Sequence, residues 1–255
     1  MSKQVPAPAE GTAEALPPAP WQRTPQRAVK RRRDPITQEE IVETALRILD
    51  SEGLEGLSMR RIAEELDTGA ASLYWHVGSK DGLLDLLFDH VIGEQQVPDP
   101  DPPRWQEQLK EVARLQRATI LRHRDIVAVS LGRIPMGPNA LRYIERVLAI
   151  LRAGGVPDDL AVSGQQLLIA VVNGFTLDEA ADGQPSSNAG APAQDAARDY
   201  IASLPLAQFP NLTAVAGEFA DVDQDERFEL LLDLFVGGLA RRAATDEKQA
   251  RGRSK

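Results

Sequence analysis

The sequence predicts an all-α protein, with a small N-terminal helix-turn-helix head followed by a larger C-terminal helical bundle. From Thr37 onward, apolar residues recur every three or four positions, which is the period of an amphipathic helix. No convincing stretch alternates apolar and polar residues as a half-buried strand does. A proline-rich segment at 98–103 interrupts the helical pattern and separates the two parts.

The composition excludes several classes of function. The 255-residue chain has no cysteine, which excludes disulfides, thiolate catalysis and cysteine-bound metal. Its three histidines are too few and too scattered for a histidine-rich metal centre. No apolar stretch approaches the roughly 20 residues that cross a bilayer, and residues 1–20 lack the apolar core of a secretory signal. We therefore expect a cytoplasmic protein that contacts no membrane.

The charge is unevenly distributed along the chain. The net charge is −9, yet residues 1–34 carry seven Lys and Arg against three Asp and Glu. This segment has no apolar periodicity and ends in a basic run, so we expect a disordered arm at 1–34. Its position before the first helix suggests that Arg31, Arg32 and Arg33 contact DNA backbone or minor groove. The alternative is a solvated tail without a role.

Local signals define the helices of the head at 35–93. Thr37 followed by Glu40 forms a capping box for the first helix, and Gly53 is placed to end it. Ser58 caps a short second helix. A tight turn at 67–69 leads to a short third helix at 70–76, and Gly78 separates it from a fourth helix that starts near Lys80.

The C-terminal part, at 103–243, stays helical in its pattern. The expected helices lie at 105–123, 125–131, 139–153, 158–181, 194–203 and 225–243. A loop rich in Gly, Pro, Ser and Asn follows the fourth of them. The charged residues 244–255 are expected to form a frayed tail.

Two short helices joined by a tight turn match the helix-turn-helix pattern, in which the second helix enters the major groove. The third helix of the head carries Ser72, Tyr74, Trp75 and His76. These side chains can donate or accept hydrogen bonds at phosphates and base edges, and aromatic faces pack on sugars and thymine methyls. The alternative is that Tyr74 and Trp75 are core aromatics, with His76 beside them.

Several motifs together resemble the tetracycline-repressor (TetR) family. In the head these are LSMRRIA at 57–63, ASLYWHVGSK at 71–80 and the leucine pair at 83–84. Further along, Trp105, LRHRD at 121–125, LG at 131–132 with Pro135, and GFTL at 174–177 resemble the ligand-binding domain of the tetracycline repressors. The resemblance covers residues 36–243 and is closer in the head than beyond it.

The resemblance implies that the head binds double-stranded DNA. Arg60 matches a base-contacting arginine, whose guanidinium suits the paired acceptors of guanine, and Lys80 matches a lysine that binds phosphate. The remaining contacts fall on the third helix, at Ala70, Ala71, Ser72, Tyr74, Trp75 and His76. Alanine can contact a thymine methyl but cannot read a base by hydrogen bonds, so we expect an operator different from that of the tetracycline repressor.

The resemblance also implies a C-terminal ligand-binding and dimerisation bundle. Long helices at 158–181 and 225–243 would form a four-helix interface with a second copy. The expected seam is formed by Gln166, Leu167, Ala170, Val171, Gly174, Leu231, Leu234, Phe235 and Leu239. A homodimer would read two halves of an inverted repeat, and a small-molecule effector would release it, as in a repressor. Activation remains the alternative sign of control.

Inward-facing residues of this bundle are expected to line the effector pocket. They are Val112, Gln116, Thr119, Ser130, Ile144, Leu148, Leu168, Val172 and Phe175. Tetracycline repressors hold a drug–magnesium chelate through a histidine where this chain has Ser130, and a hydroxyl is a poor substitute for imidazole. We therefore expect no metal and no cofactor, and an amphipathic organic effector. His123 is either a ligand contact or, as we favour, a histidine satisfied by its neighbours.

Two other classes of function are weighed against a DNA-binding regulator. The sequence has no glycine-rich phosphate loop, no Gly-x-Ser-x-Gly elbow and no His-Glu-x-x-His pair, so we expect no catalytic residues. A helical protein-interaction module with a basic arm would explain residues 27–33. It would not explain Arg60 together with the polar and aromatic third helix.

Overall fold

A computed structural model of the chain describes residues 36–123, 125–182, 191–219 and 223–253. These ranges contain α-helices and no strand, which confirms the predicted all-α class. The helices are α1 (Gln38–Gly56), α2 (Met59–Glu65), α3 (Ala70–Val77), α4 (Lys80–Gly93), α5 (Trp105–Arg122), α6 (Ile126–Ser130), α7 (Pro138–Ala153), α8 (Asp158–Asp182), α9 (Ala191–Ala202), α10 (Pro210–Ala214) and α11 (Gln224–Arg253). The predicted arm at 1–34, with Arg31, Arg32 and Arg33, lies outside the described residues.

The caps predicted for the head are present. Thr37 Oγ1 accepts from the backbone N–H of Glu40 at 3.1 Å, and Glu40 Oε2 accepts from the Thr37 N–H at 2.8 Å. This reciprocal pair satisfies two donors at the start of α1. Ser58 likewise caps α2 through the Arg61 N–H at 3.1 Å. Gly53, at φ 77°, breaks the helical geometry of α1, which resumes as far as Gly56.

The core of the head is formed by α1 to α4, and α6 of the C-terminal part adds to it. Ile41, Leu49, Ile62 and Leu73 are almost fully buried in this core. Three apolar residues of α6 belong to the same core: Ile126, Val127 and Val129. The head is therefore packed directly against a helix that follows the proline-rich segment.

A second core holds α5, α7, α8 and α11 together. Its fully buried members include Leu109, Ile150, Leu168 and Phe228. Trp105 packs against Gly154, where an added Cβ would lie 2.3 Å from the indole. Only glycine allows the indole to approach so closely, and this contact holds the start of α5 on the end of α7.

Helix α4 belongs to both parts of the protein. It contributes to the core of the head, and its Asp89 side chain caps the N-terminus of α7. Asp89, a buried residue of α4, accepts hydrogen bonds from the backbone N–H groups of Ala140 at 2.9 Å and Asn139 at 3.3 Å. A carboxylate at a helix N-terminus is stabilised by the free N–H groups and by the helix dipole. Gly137 leaves room for it, since a Cβ there would lie 2.2 Å from the Asp89 carboxyl.

In the described part of the chain, one helical segment is long and apolar enough to cross a membrane: Asp158–Ala180 in α8, with a mean hydropathy of 1.4. The expectation of no such stretch was therefore wrong by this measure. Polar residues such as Gln165 and Asn173 interrupt the apolar residues of this segment. Core helices of globular proteins have the same length and hydropathy, and Leu168 and Val172 of α8 are buried against the neighbouring helices.

The other differences from the sequence prediction lie at element ends and in short turns. α11 continues to Arg253, beyond the predicted end at residue 243, so the tail is helical up to that residue instead of frayed. The predicted helices do not include the 3-10 turns Pro102–Arg104 and Ala216–Phe219 or the short helix α10. Pro210 occupies the first turn of α10, where its fixed φ suits a helix start.

Candidate DNA-binding head and effector cavity

Helices α2 and α3 form a tight helix-turn-helix unit. The turn between them contains Asp67 at φ 46°, and Gly69 is the N-cap of α3. Leu73 and Val77 are buried and anchor one face of α3 to the head. The opposite face of the helix is directed to solvent, as a recognition helix requires.

The polar and aromatic residues of α3 lie on this exposed face. Tyr74 is 47% exposed and Trp75 is 44% exposed, so neither is a core aromatic, and the alternative interpretation from the sequence is wrong. Ser72 and Ala71 are also exposed, whereas Ala70 and His76 are partly buried. Large aromatic side chains held at the surface of a short helix suit contacts with sugars and bases.

His76 is held at the end of α3 by two neighbours. Its imidazole meets the Trp75 indole edge-on, with ring centroids 4.6 Å apart, and its carbonyl accepts from Gln38 Nε2 at 3.1 Å. Burial lowers the pKa of His76, which favours the neutral ring at pH 7. A neutral imidazole offers one donor and one acceptor, so His76 can contact either a phosphate or a base edge.

Arg60 lies on α2 and Lys80 on α4, the helices that precede and follow α3 in the chain. The Arg60 side chain is 88% exposed and pairs with Glu64, one turn along α2, at 2.8 Å. A pair this exposed contributes little and can be replaced by a DNA acceptor. Lys80 is exposed at the first position of α4, which Ser79 caps through the Gly82 N–H at 3.0 Å.

A cavity of about 60 Å³ lies where α4, α5, α6, α7 and α8 meet. Its walls are mostly apolar, with Phe88 and Val91 from α4 and Ile126 from α6 among them. A drug-sized ligand needs a pocket of roughly 300 Å³ or more, so its entry must move these walls. Movement of α4 or α6 would be transmitted to the head, because both helices contribute to its core.

The polar side chains at this cavity form a connected network. Tyr143 Oη donates to Gln116 Oε1 at 3.2 Å, and Gln116 Nε2 donates to Asn173 Oδ1 at 2.7 Å. Burial raises the pKa of Tyr143 well above its usual value, so its hydroxyl stays a donor. Satisfied networks of this kind hold side chains in one orientation, which gives the cavity a defined polar side.

The structure brings four of the nine predicted pocket residues to the cavity: Gln116, Thr119, Ser130 and Ile144. The Ser130 hydroxyl donates to the Val127 carbonyl at 2.7 Å. The other five pack in the core of the C-terminal part instead: Val112, Leu148, Leu168, Val172 and Phe175. They face inward, as their periodicity indicates, but toward α11 and neighbouring helices. Their part in effector binding stays a prediction.

Cavity residues that the sequence did not predict come from α4, from the segment that follows it and from the bundle. Phe88, Ile92 and Gln95 line the cavity, together with Tyr143 and Asn173 of the bundle. The available signal was that apolar residues occur on more than one face of α4, as in a helix that packs on two sides.

His123 joins the two parts of the protein. This buried ring lies between two carboxylates: Nδ1 is 3.1 Å from Asp50 in α1, and Nε2 is 3.0 Å from Glu94 after α4. Nearby, the Leu54 N–H of α1 donates to Asp125 Oδ2 at 2.9 Å. His123 is therefore a histidine satisfied by its neighbours, and it is absent from the walls of the cavity.

These features define the class of protein. A short helix with exposed aromatics, held by a tight turn against α2, is the reading unit of a helix-turn-helix DNA-binding protein. Helices α4 and α6 line the cavity of the C-terminal bundle and also belong to the core of the head. A displacement of these helices in the bundle would therefore shift the helix-turn-helix unit. The class is a transcriptional regulator with a separate regulatory bundle.

The comparisons with known proteins agree with this class. Residues 41–87 match the family described as bacterial regulatory proteins, tetR family, and residues 98–243 match the tetracyclin repressor-like C-terminal domain. The second match alone covers more than half of the chain. The protein belongs to the tetracycline-repressor family.

Individual relatives support the assignment. The chain is 39% identical to an HTH-type transcriptional regulator of Saccharopolyspora erythraea and to the HTH-type transcriptional repressor DrrR1 of Streptomyces coeruleorubidus. Each match covers 56% of this chain, and the matches span 60% and 52% of the two relatives.

A solved structure gives a longer match. Apo ActR from Streptomyces coelicolor is 45% identical, with a TM-score of 0.77, and the match covers 84% of this chain and 99% of ActR. A further structure of ActR, in complex with actinorhodin, is 46% identical, with a TM-score of 0.76, and the match covers 82% of this chain and 99% of that one.

Proposed function

We propose that this protein is a homodimeric, cytoplasmic repressor that binds an inverted-repeat operator and leaves it when a small organic effector enters the bundle. The observation that carries the DNA-binding role is the exposure of Tyr74 and Trp75 on α3, together with the exposed Arg60 on α2. The proposal involves no catalytic step.

The proposed dimer interface lies on α8 and α11. The exposed apolar residues of these helices include Leu167 and Leu177 on α8 and Leu230 and Leu234 on α11. They recur at helical spacing, so each helix presents a stripe of apolar side chains. Of the predicted seam, Gln166, Leu167, Ala170, Gly174 and Leu234 are exposed, while Leu239 is buried within its own subunit.

Dimerisation would allow two heads to bind one DNA duplex. A twofold dimer presents two copies of α3, which must lie roughly 34–36 Å apart to enter successive major grooves. An effector that enlarges the cavity would displace α4 and α6, and with them the heads. By reciprocity, DNA that favours one spacing weakens effector binding.

The proposed effector is an organic molecule that needs no metal ion. ActR has been crystallised with actinorhodin, and the cavity here suits an organic ligand because its walls are mostly apolar. At the position of the metal-binding histidine, the Ser130 hydroxyl already donates to a helix carbonyl. Such a hydroxyl is a weak ligand for a chelated cation.

Selection of bound sequences from a random duplex library, at a stated salt concentration, tests the proposed function. An enriched inverted repeat is the expected result. Salt-sensitive binding without an enriched sequence would reduce the function to nonspecific electrostatic binding. Absence of binding, in a preparation shown by mass spectrometry to carry no small molecule, would contradict the proposal and favour a protein-interaction module.

A further inference from the structure

We propose that the effector is an amphipathic organic acid, whose carboxylate binds Arg142 and Arg146 and whose hydroxyl group donates to Oε1 of Gln95. This inference rests on the proposed function, because it assumes that the cavity described above receives a regulatory ligand. It adds the chemical class of that ligand and three residues that would select it.

The apolar cavity has a polar groove beside it. This groove has a volume of about 380 Å³ and shares Ile92, Gln95 and Tyr143 with the cavity. Its other walls come from Gly93 at the end of α4, from Gln96 and Val97 after that helix, and from α7. A ligand with rings in the cavity would therefore extend its polar end into this groove.

The groove is positively charged in an acidic protein. Its walls, within the described chain, contain Arg142 and Arg146 and no carboxylate. Arg142 donates to Asn139 Oδ1 at 3.1 Å and pairs with no Asp or Glu among the described residues. Its guanidinium keeps donors that can bind a carboxylate in the paired geometry that arginine favours.

The Arg146 side chain is oriented by two hydrogen bonds, but its positive charge is only weakly compensated. It donates to the Val97 carbonyl at 2.8 Å and to Asp99 at 3.2 Å. The Asp99 side chain is 93% exposed, and ion pairs this exposed to water are weak. A ligand carboxylate in the groove can therefore compete with Asp99 for the Arg146 guanidinium.

Gln95 supplies an acceptor that nothing in the described protein uses. Its Oε1 is buried and has no hydrogen-bond partner among the described residues, while the nearby Tyr143, Gln116 and Asn173 satisfy one another. A buried acceptor without a partner destabilises a folded protein. Because Gln95 lines both spaces, a ring hydroxyl of a ligand whose carboxylate lies in the groove would satisfy it.

Calorimetric titration of the full chain with naphthalene-2-carboxylate and with its methyl ester tests the role of the arginines. The two probes share their rings and differ in charge. We expect the acid to bind at least tenfold more tightly than the ester, and the preference to vanish in an Arg142→Gln, Arg146→Gln double variant. Arg152→Gln is the matched control, since Arg152 lies on α7 but outside both spaces and should leave the preference intact.

Gln95 is tested by comparing naphthalene-2-carboxylate with 4-hydroxynaphthalene-2-carboxylate, whose hydroxyl is too far from its own carboxylate for an internal hydrogen bond. We expect the hydroxyl to strengthen binding severalfold in the native protein and to add nothing in Gln95→Leu. Gln96→Leu is the control, because Gln96 lines only the groove. The Gln95→Leu protein should also have a higher Tm without ligand, since the variant removes the unpartnered oxygen.

These outcomes separate the inference from the proposed function. Equal binding of acid and ester, a preference that survives in the double variant, or failure of both naphthalene probes to bind would overturn the organic-acid class. If operator selection still succeeds, the regulator stands and only its effector chemistry is wrong. If operator selection fails as well, the proposed function fails with it.

Discussion

Tyr74 and Trp75 occupy the exposed face of α3, while the buried Leu73 packs in the core of the head and holds the helix in place. Exchange of Tyr74 for alanine therefore removes a surface contact without opening the core. We expect operator binding to weaken by roughly 1–3 kcal/mol, about the value of one good base contact, with the Tm nearly unchanged. Fluorescence anisotropy with the selected operator measures the first effect and thermal circular dichroism the second.

Tyr200→Ala is the matched control for this substitution, since Tyr200 is 68% exposed and lies on α9, outside the head. It should leave operator binding unchanged. Unaltered operator affinity in Tyr74→Ala would remove this residue from the DNA contacts, and a large loss of Tm would instead indicate a packing role.

Glu64 lies where it can hold Arg60 away from DNA. The two side chains are 2.8 Å apart and both are exposed, and Glu64 itself adds a negative charge beside the recognition helix. Glu64→Gln should therefore strengthen operator binding, by roughly two- to fivefold at low salt. The gain should shrink as salt rises, because it is electrostatic. Glu43→Gln on the exposed side of α1 is the control, and an equal gain there would point to net charge alone.

At the scale of elements, the angle between α3 and α4 depends on Gly78. This residue has φ 73° and ψ −49°, a region that side chains with a Cβ avoid. An added Cβ would meet nothing within 4 Å among the described residues, so the penalty of substitution lies in the backbone. We expect Gly78→Ala to destabilise the head by about 1–3 kcal/mol, as measured by denaturant unfolding.

Gly217→Ala provides the comparison for Gly78. An added Cβ there also has open space around it, and Gly217 has no positive φ. Its free energy of unfolding should change by well under 1 kcal/mol. If the two variants lost the same stability, the positive φ of Gly78 would not explain the loss in Gly78→Ala.

The helices of the head could be predicted from the sequence because their signals are local. Thr37 with Glu40, Ser58 and Gly78 each act within four residues, so a cap or a break is visible without knowledge of the fold. The end of α11 gave no such signal, since the charged residues after Ala243 suit a solvated helix as well as a tail. The family motif in α3 predicted the class of protein, and the exposure of Trp75 required the structure.

The cavity could be predicted only in part, since helical periodicity shows that a residue faces inward but not which helix it meets. Gln116 and Val112 lie one turn apart on α5 and are both buried, yet only Gln116 reaches the cavity. The contribution of α4 depends on how that helix crosses α7, and this follows from the contact of Asp89 with the N-terminus of α7. Such a contact spans 51 residues and has no signature in the sequence.

At the scale of the whole molecule, the contacts of His123 with Asp50 and Glu94 form a joint between the head and the bundle. This joint should determine how strongly the unfolding of the two parts is coupled. His123→Leu removes the polar ring that lies between the Asp50 and Glu94 carboxylates. We expect a loss of roughly 2–4 kcal/mol in the free energy of unfolding. Calorimetry should also show a broader transition, because the head and the bundle would unfold less cooperatively.

Arg122→Gln is a control for the joint, because Arg122 contacts the same Glu94 from the solvent side and its side chain is 59% exposed. An exposed pair contributes less than 1 kcal/mol, so this variant should keep a single sharp transition. A sharp transition with an unchanged midpoint in His123→Leu would show that the joint does not couple the unfolding of the head to that of the bundle.

The dimer decides whether the chain can read an operator at all, since one α3 contacts too few base pairs for specific binding. Leu234 on α11 is 64% exposed and belongs to the apolar stripe, so Leu234→Glu should place two charges in the interface of a symmetric dimer. We expect a monomer by sedimentation at micromolar concentration, folded by circular dichroism, with operator affinity reduced at least a hundredfold. Leu121→Glu, on α5 and 45% exposed, should remain dimeric and bind. A Leu234→Glu protein that stays dimeric would move the interface away from α11, and a folded monomer that keeps full operator affinity would contradict the need for a dimer.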